Sequence, residues 1–386
     1  MRRVSLNQLR TLYQKALTDK TSLQLKGFYQ GYDYHADQPY DNGGRVINYD
    51  AVSGRWWGGE AQLTSTVFEG HRLMAGLEYQ YDQRQSMINY DINPYVLNTD
   101  SNRQGNRVEL YVQDDINILD DLIFSAGLRL DYHHMLKSLQ LNPRLGLIWN
   151  PLDSTTFKLL YSSTFRAPNV FERDYSYLNT NVPNPNNYEE RIKSYESVLE
   201  WHSTTGLKLI GDLFYNDIYQ LLEQNNNPDL GGAYGPFLNI GKYRGIGGEL
   251  EAEKRWDSGR LLKISYTYNH LTDEANGGMW AYNSPHNLFK LHYAEPLFNN
   301  FATLGVENIY IGERKALQGG LADAYDMVNL NLSSDRILRG LYVSFGVSDL
   351  FNTHAQMLGG SGPNDITQNI LPMNGREFRL KLQVTY

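Results

Sequence analysis

The last stretch of the chain, Arg376 to Tyr386, reads REFRLKLQVTY and decides the fold. Side chains alternate between the two faces of a strand, so this stretch predicts a strand with one apolar and one polar face. Barrel strands that cross a membrane need this pattern because lipid contacts one face and water the other, and ~9–11 residues suffice to cross. The apolar positions are Phe378, Leu380, Leu382, Val384 and Tyr386.

The same alternation recurs from residue 21 to residue 386. After Gly259, for example, Leu262, Ile264 and Tyr266 alternate with polar residues such as Ser265, and we expect the apolar set to face lipid. Roughly sixteen or seventeen such strands can be counted. We therefore predict an all-β fold, an antiparallel transmembrane β-barrel over 21–386. Residues 1–20 are less regular, and a further barrel strand is one interpretation of them.

The connections between these strands alternate in length. Long polar stretches such as 35–54, 83–106 and 166–187 lie between short turns, which predicts long loops at one rim and short turns at the other. A soluble sandwich or propeller would scatter its long loops. The short turns are predicted near Asp19, Gly70, Asp120, Pro151, Ser203, Ser258, Pro296 and Asp335.

Composition excludes several classes of protein. The 386 residues include 29 tyrosines and no cysteine. The net charge of the chain is −8, and this acidity argues against nucleic acid as a partner. No run of ~18 apolar residues is present, so membrane-spanning helices are not expected. Arg2 and Arg3 are followed by no apolar core, so the first residues do not resemble a secretory signal.

Five short motifs, in order along the chain, resemble those of TonB-dependent outer-membrane receptors. None of them is specific alone, but their order is. The segment from Phe165 through Arg166, Ala167 and Pro168 to Glu172 resembles the family's FRAP-type segment. The others are Asn184-Pro185 with Glu189-Glu190, the Gly-x-Glu strand at 247–251, the corner Asp349-Leu350-Phe351-Asn352 (with Asp for the family's first Asn), and Gly375-Arg376 opening the last strand.

The resemblance implies a protein of the bacterial outer membrane that is not an enzyme. Family members place a globular plug and a TonB-contact box before a barrel of ~22 strands. Since neither precedes residue 6, we expect the C-terminal part of such a barrel, with no plug domain. The implied partners are membrane lipid, the barrel assembly machinery, which would read the terminal strand, and the TonB complex only where plug and TonB box are present.

The ligand that the resemblance favours is a ferric siderophore. Aromatic rings stack on chelates and Arg complements anionic oxygens, so the loop residues Tyr175, Tyr177, Tyr234, Trp280, Tyr282 and Arg314 are candidate ligand contacts. The alternative for each is packing within the loops or the interfacial girdle. Other ligands are cobalamin and haem, the latter disfavoured because 165–187 contain no His.

Two other functional classes stay open from the residues alone. A passive porin has ~16–18 strands, close to this count. An outer-membrane enzyme would need a rim site, for which Asn269, His270 and His286 are candidates, although hydrogen bonding at a loop base is the favoured explanation for them. We expect no cofactor. We also expect no metal at His133-His134, because adjacent side chains at a loop tip point apart.

Overall fold

The computed structural model describes residues 2–41, 44–176, 182–225, 235–317, 319–359 and 369–385. Within these ranges the chain is almost entirely β-structure, and its one helix has five residues. No described helix is long and apolar enough to cross a membrane.

The elements follow one another with few long gaps. They are β1 (Arg2–Thr18), β2 (Thr21–Asp41), β3 (Arg45–Ser65), β4 (His71–Asp91), β5 (Val96–Leu119), β6 (Leu122–His133), β7 (Gln140–Leu152), β8 (Thr155–Arg166), α1 (Val170–Asp174), β9 (Glu190–His202), β10 (Leu207–Gln224), β11 (Phe237–Arg255), β12 (Leu261–Asp273), β13 (Met279–Trp280), β14 (Asn287–Leu297), β15 (Ala302–Ile311), β16 (Arg314–Lys315), β17 (Leu321–Ala322), β18 (Tyr325–Leu338), β19 (Leu341–Ser348), β20 (Gln356–Leu358), β21 (Ile370–Pro372) and β22 (Glu377–Val384).

Eighteen of these strands belong to one hydrogen-bonded sheet. Strands that follow one another pair antiparallel, as in β1–β2, β2–β3 and β3–β4, and later in β14–β15, β15–β18 and β19–β22. The eighteen strands include the two-residue strand β13, and they exceed by one the upper predicted count of seventeen. The hairpins β16–β17 and β20–β21 form two separate small sheets. The all-β, antiparallel prediction is therefore confirmed.

The uncertain N-terminal segment is a strand. Residues 2–18 form β1, which pairs with β2 from Arg2 opposite Ala36 to Thr18 opposite Thr21. The turn between the two strands occupies Asp19 and Lys20, as predicted. The family-like pattern thus begins before residue 21.

The chain divides into two compact units. Unit 1 comprises Met1–Leu147, Leu160–Lys193 and Ile218–Lys242, and unit 2 comprises Ile148–Leu159, Ser194–Asp217 and Tyr243–Tyr386.

In unit 1, the alternation separates an exposed apolar face from a polar face. Leu25, Leu77 and Leu110 have exposures of 41%, 48% and 55%, as lipid-facing residues require. On the polar face, Lys26 Nζ lies 3.2 Å from Glu60 Oε2, and Tyr111 Oη donates to Glu60 Oε1 at 2.7 Å. Burial is therefore low for the large aliphatic residues and high for several polar ones, the reverse of an ordinary globular core.

The polar stretches predicted as long loops near 35–54 and 83–106 are mostly strand, which corrects that prediction. Strands β2 to β4 each have 21 residues and β5 has 24, more than a membrane crossing needs. Asn48, Asn89 and Asp91 are at most 5% exposed and bridge β3 and β4, with Asn48 Nδ2 donating to Asn89 Oδ1 at 2.8 Å and to Asp91 Oδ1 at 2.9 Å. Polar cross-strand pairs extend the sheet where apolar alternation ends.

In unit 2, β12 separates apolar from polar residues onto its two faces, as the alternation predicts. Ile264 lies opposite Leu291 of β14 and Ala252 of β11, on the apolar face. On the other face, Lys263 Nζ lies 2.9 Å from Glu251 Oε2, and Thr267 Oγ1 donates to Glu249 Oε2 at 2.9 Å.

Three predicted turns lie later in the chain than expected. Pro151 lies within β7, Pro296 within β14, and Asp335 within β18. The turn between β14 and β15 lies at 298–301, where Phe298, Asn299 and Asn300 have positive φ angles. The turn between β18 and β19 lies at Arg339-Gly340, where glycine accommodates a φ of 79°.

Candidate functional site

A cavity of about 930 Å³ lies within unit 1. Polar-face residues of β2 to β6 form one wall of this cavity, and the segment after β8 forms another. Its volume is in the range of small-molecule sites. Its lining includes Tyr32, Trp56, Asp82, Arg107, His133 and Phe171.

Aromatic rings form one side of the cavity. The rings of Tyr32 and Trp56 meet edge to face with centroids 6.1 Å apart. Tyr32 packs against Gly54, where a Cβ atom would collide with its ring, so the glycine makes room for this side chain. Phe171 stacks on Tyr175 at 4.5 Å. These rings offer rigid stacking surface to a bound aromatic group.

The two buried carboxylates of the cavity are paired within the sheet. Asp82 is 1% exposed, and its Oδ2 accepts from Arg107 Nε at 3.1 Å and lies 3.0 Å from Arg107 Nη2. Asp131 is 2% exposed and accepts from Arg129 Nε at 2.7 Å and from Asn142 Nδ2 at 2.8 Å. Buried carboxylates are stable here because each has a cation or amide donor.

The pair His133 and His134 differs from the prediction. Their rings stack with centroids 4.9 Å apart, rather than pointing apart, because the chain leaves the β6 alternation at this point. Neither ring nitrogen of His134 has a hydrogen-bond partner, and burial lowers the pKa of this residue. Within the described ranges, no group of three or more His, Asp or Glu side chains is arranged to hold a metal.

The FRAP-type segment forms a hydrogen-bonded corner after β8. Arg166 Nη2 donates to Glu172 Oε1 at 2.8 Å and Nη1 to Oε2 at 3.0 Å, while its Nε donates to Glu190. Asn169 caps α1 by accepting from the Glu172 amide at 2.9 Å, and the Asn169 amide donates back to the Glu172 carboxylate at 2.8 Å. The corner fixes where the chain leaves β8, with Phe165, Ala167 and Pro168 also lining the cavity.

The candidate ligand residues are only partly described. Tyr177 and Tyr234 lie outside the described residues. Tyr175 lies in unit 1 beside the cavity-lining Phe171, and its hydroxyl accepts from Asn89 Nδ2 at 3.3 Å. Among the described candidates, it is the one that contacts a residue of the cavity lining.

The other three candidates lie in unit 2 and contact residues of their own or of neighbouring connections. Trp280 stacks on His286 at 4.5 Å and donates Nε1 to the Ser284 carbonyl at 2.6 Å. The Lys315 Nζ lies 4.8 Å from the Tyr282 ring centroid. Arg314 is 8% exposed, donates to the Gln356 carbonyl and lies over Tyr325. Arg314 thus matches the loop-packing alternative rather than a ligand contact.

The residues considered for an enzyme site make loop-base hydrogen bonds. His286 Nδ1 lies 3.0 Å from the Asn269 carbonyl oxygen, and Asn269 Nδ2 donates to Ser284 Oγ at 3.3 Å. His270 stacks on His286 at 5.1 Å. These contacts hold the base of the β12–β14 connection.

Sequence reasoning missed the cavity itself. Tyr32 and Trp56 stand at positions that alternate with exposed apolar residues, such as Trp57, so they belong to the polar face. Large aromatic rings on a polar face are the signal that could have identified a site.

The terminal strand β22 pairs with β19, from Leu341 opposite Val384 to Ser348 opposite Glu377. Its apolar positions Phe378, Leu380, Leu382 and Val384 are all exposed. Tyr386 lies outside the described residues.

Antiparallel strands that expose an apolar face and pair polar side chains on the other define an integral β-barrel protein of a membrane. Residues 2–350 match the family model described as TonB dependent receptor-like, beta-barrel, and the chain belongs to this family. No curated protein matches the chain.

Solved structures of this fold cover nearly all of the chain. The ferric-catecholate import receptor Fiu from E. coli K12 is 17% identical with a TM-score of 0.75, covering 99% of this chain and 64% of its own. The ferric citrate transporter FecA is 14% identical with a TM-score of 0.78, covering 99% and 61%, and the copper transporter OprC is 16% identical with a TM-score of 0.77, covering 99% and 65%. The chain therefore spans less than two thirds of the length of each, and identities this low show the fold alone.

Family membership confirms two predictions made from the motifs. Proteins of this family belong to the bacterial outer membrane, and they are transporters rather than enzymes. The match begins at residue 2, so it includes the N-terminal part where the sequence showed only generic barrel strands.

Proposed function

We propose that the chain is the barrel part of a receptor that captures a ferric siderophore and imports it with energy from the TonB complex. The complete receptor would supply the plug and the TonB-contact segment. Passive diffusion, as in a porin, is the alternative class, and cobalamin is the alternative ligand.

The observation that carries the proposal is the combination of aromatic and cationic groups in the unit 1 cavity. Tyr32, Trp56 and Phe171 present ring surface, while Arg107 and Arg166 keep side-chain exposures of 36% and 45% despite their ion pairs. Ferric chelates are commonly aromatic, anionic or both, so stacking and charge-assisted hydrogen bonds complement them.

Purified full chain in detergent micelles tests the binding step. A ferric catecholate and a ferric hydroxamate would be titrated while tryptophan fluorescence is followed, with cobalamin as the ligand of the other class. Trp56→Ala should weaken chelate binding about tenfold, the loss of one stacked ring in a desolvated site. Trp57→Ala is the matched control, because Trp57 contacts Tyr79 and Tyr81 on the exposed face.

Equal affinities of the two variants would contradict the proposed site, and binding of cobalamin alone would change the ligand. The transport step needs the complete receptor that contains this barrel. Uptake of the ferric chelate should stop when the TonB complex is removed. Uptake that continues without it would support the porin alternative.

A further inference from the structure

A second concave site lies in unit 1, and Arg84 belongs both to its lining and to that of the large cavity. It has a volume of about 330 Å³. It is lined by Tyr29, Arg55, Gln83, Arg84, Asn102 and Gln104.

The position of this site along the strands is set by the aromatic residues next to it. The centroid of the Trp57 ring lies 5.9 Å from that of Tyr79 and 5.8 Å from that of Tyr81, and all three rings belong to the exposed face. Tyr81 Oη donates to Gln104 Oε1 at 3.1 Å, which joins the ring cluster to the site. Trp and Tyr occupy the level of the lipid headgroups in membrane proteins, so the site lies at headgroup depth.

A β-bulge places two arginines together here. The β3–β4 register shifts between Arg55 and Trp56, and Arg84 becomes the direct partner of Arg55. Like charges directly opposite on a sheet repel each other. Bulges re-aim side chains at functional positions.

The two arginines differ in their partners. Arg55 Nη2 donates to Asp33 Oδ2 at 2.6 Å, and its Nη1 donates to the carbonyls of Tyr32 at 2.8 Å and Gly54 at 2.7 Å. In the described part of the chain, Arg84 has no ion pair, and it is exposed. The site thus holds two positive charges and one negative charge, with one whole guanidinium available to an anion.

We propose that this site binds the phosphate of an anionic membrane lipid whose acyl chains lie along the apolar face below it. Arg84 donates to the phosphate oxygens in the planar, two-pronged manner that guanidinium allows, and Asn102 and Gln104 offer amide donors beside it. The bound phosphate relieves the repulsion between Arg84 and Arg55. This proposal does not depend on which ligand the receptor imports.

The test uses the purified full chain in a nonionic detergent and native mass spectrometry of its lipid complexes. Phosphatidylglycerol is the probe, and zwitterionic phosphatidylcholine is the comparison lipid. Arg84→Gln should weaken phosphatidylglycerol binding about tenfold, the effect of losing charge-assisted hydrogen bonds to one phosphate. Arg84→Lys should retain part of the affinity.

Arg72→Gln is the matched control, since Arg72 lies on the same strand and lies 3.9 Å from Asp115. Affinity unchanged in Arg84→Gln, or lowered equally by Arg72→Gln, would overturn the proposal. Displacement of the lipid by inorganic phosphate, or equal affinity for phosphatidylcholine, would overturn the assignment to an anionic lipid. Unchanged circular dichroism of each variant establishes that it is folded.

Discussion

The distal ends of β3 and β4 in unit 1 and the end of β12 in unit 2 use the same residue types with opposite results. In β3 and β4, Asn48, Asn89 and Asp91 bond to one another across the strands, and the sheet continues. At the end of β12, Asp273 accepts from the amides of Ala275 and Asn276 at 3.1 Å, and the strand ends. Asn and Asp extend a sheet when their partners lie across strands and end it when their partners follow along the chain.

This difference matters for function because the extended strands support the segment that follows the FRAP-type corner. Thr99 of β5 donates Oγ1 to the Ser176 carbonyl at 2.6 Å, and Ser101 donates to Asp174 at 2.7 Å. Arg103 also donates to Asp174, with Nη2 at 2.6 Å from Oδ1. Longer strands thus hold the end of α1 beside the aromatic side of the cavity.

The largest effect is expected from arginine substitutions on the apolar faces of β12 in unit 2 and β4 in unit 1. Ile264→Arg in β12 and Leu77→Arg in β4 should each lower the free energy of unfolding by ~2–4 kcal/mol, because both place a charge in lipid near the midplane. Ser265→Arg should be tolerated on the polar face. Unfolding by denaturant in lipid vesicles measures all three. Equal effects at positions 264 and 265 would show that the assigned register is wrong.

A smaller effect is expected where polar pairs extend the sheet. Asn89→Ala should remove both hydrogen bonds between Asn89 and Asn48 and leave the buried Asn48 Oδ1 without its donor, at a cost of ~1–3 kcal/mol, while Asn48 still donates to Asp91. The loss should be local, seen as faster hydrogen exchange at the ends of β3 and β4 while the membrane-spanning halves stay protected. Asn102→Ala, at an exposed position, serves as the control. Exchange unchanged in Asn89→Ala would mean that the side-chain network does not hold these strands.

The contact between β5 and α1 should depend on pH. Burial alone would raise the pKa of Asp174, but hydrogen bonds from Arg103 and Ser101 and the charge of Arg103 lower it below its ordinary value. A lowered pKa means that the carboxylate stabilises the folded state above the unfolded value of ~3.9, and that this contribution is lost as the pH falls through the folded value.

Limited proteolysis after α1 should therefore increase in acid for the unmodified chain. Asp174→Asn should be more sensitive at neutral pH and should lose this dependence on pH. Arg72→Gln, which alters an ion pair with Asp115 elsewhere in unit 1, should keep it. An acid response that persists in Asp174→Asn would assign it to another group.

The membrane-spanning halves of the strands could be predicted from the sequence because lipid imposes a period of two on every one of them. The polar ends could not, because Asn and Asp look alike whether their partners are local or across strands. The 83–106 stretch shows this, since it reads as a loop but lies mostly within β4 and β5. The bulge at Gln83 also escaped prediction, and with it the meeting of Arg55 and Arg84.

The site was predicted least well. The segment that holds Arg166 and Glu172 was singled out by its motif, whereas Tyr32 and Trp56 come together with Phe171 only through strand register. Arg314 was chosen for its chemistry, but its guanidinium already donates to the Gln356 carbonyl, in the connection between β19 and β22. Residue type indicates what a side chain can bind, and only its neighbours determine whether that capacity is already used.

The smallest expected effect concerns another local cap, at Asp349 of the Asp-Leu-Phe-Asn corner. Asp349 is 1% exposed, has a φ of 50°, and its Oδ1 accepts from the Thr353 amide at 2.8 Å and hydroxyl at 2.9 Å. Asn keeps this acceptor and tolerates the left-handed conformation, so Asp349→Asn should change the free energy of unfolding by less than about 1 kcal/mol. Asp349→Ala loses both the acceptor and that tolerance, and should cost about 1–3 kcal/mol. Denaturant unfolding of the two variants separates these effects. A large loss in Asp349→Asn would mean that the negative charge itself, and not the hydrogen-bonded turn, holds this corner.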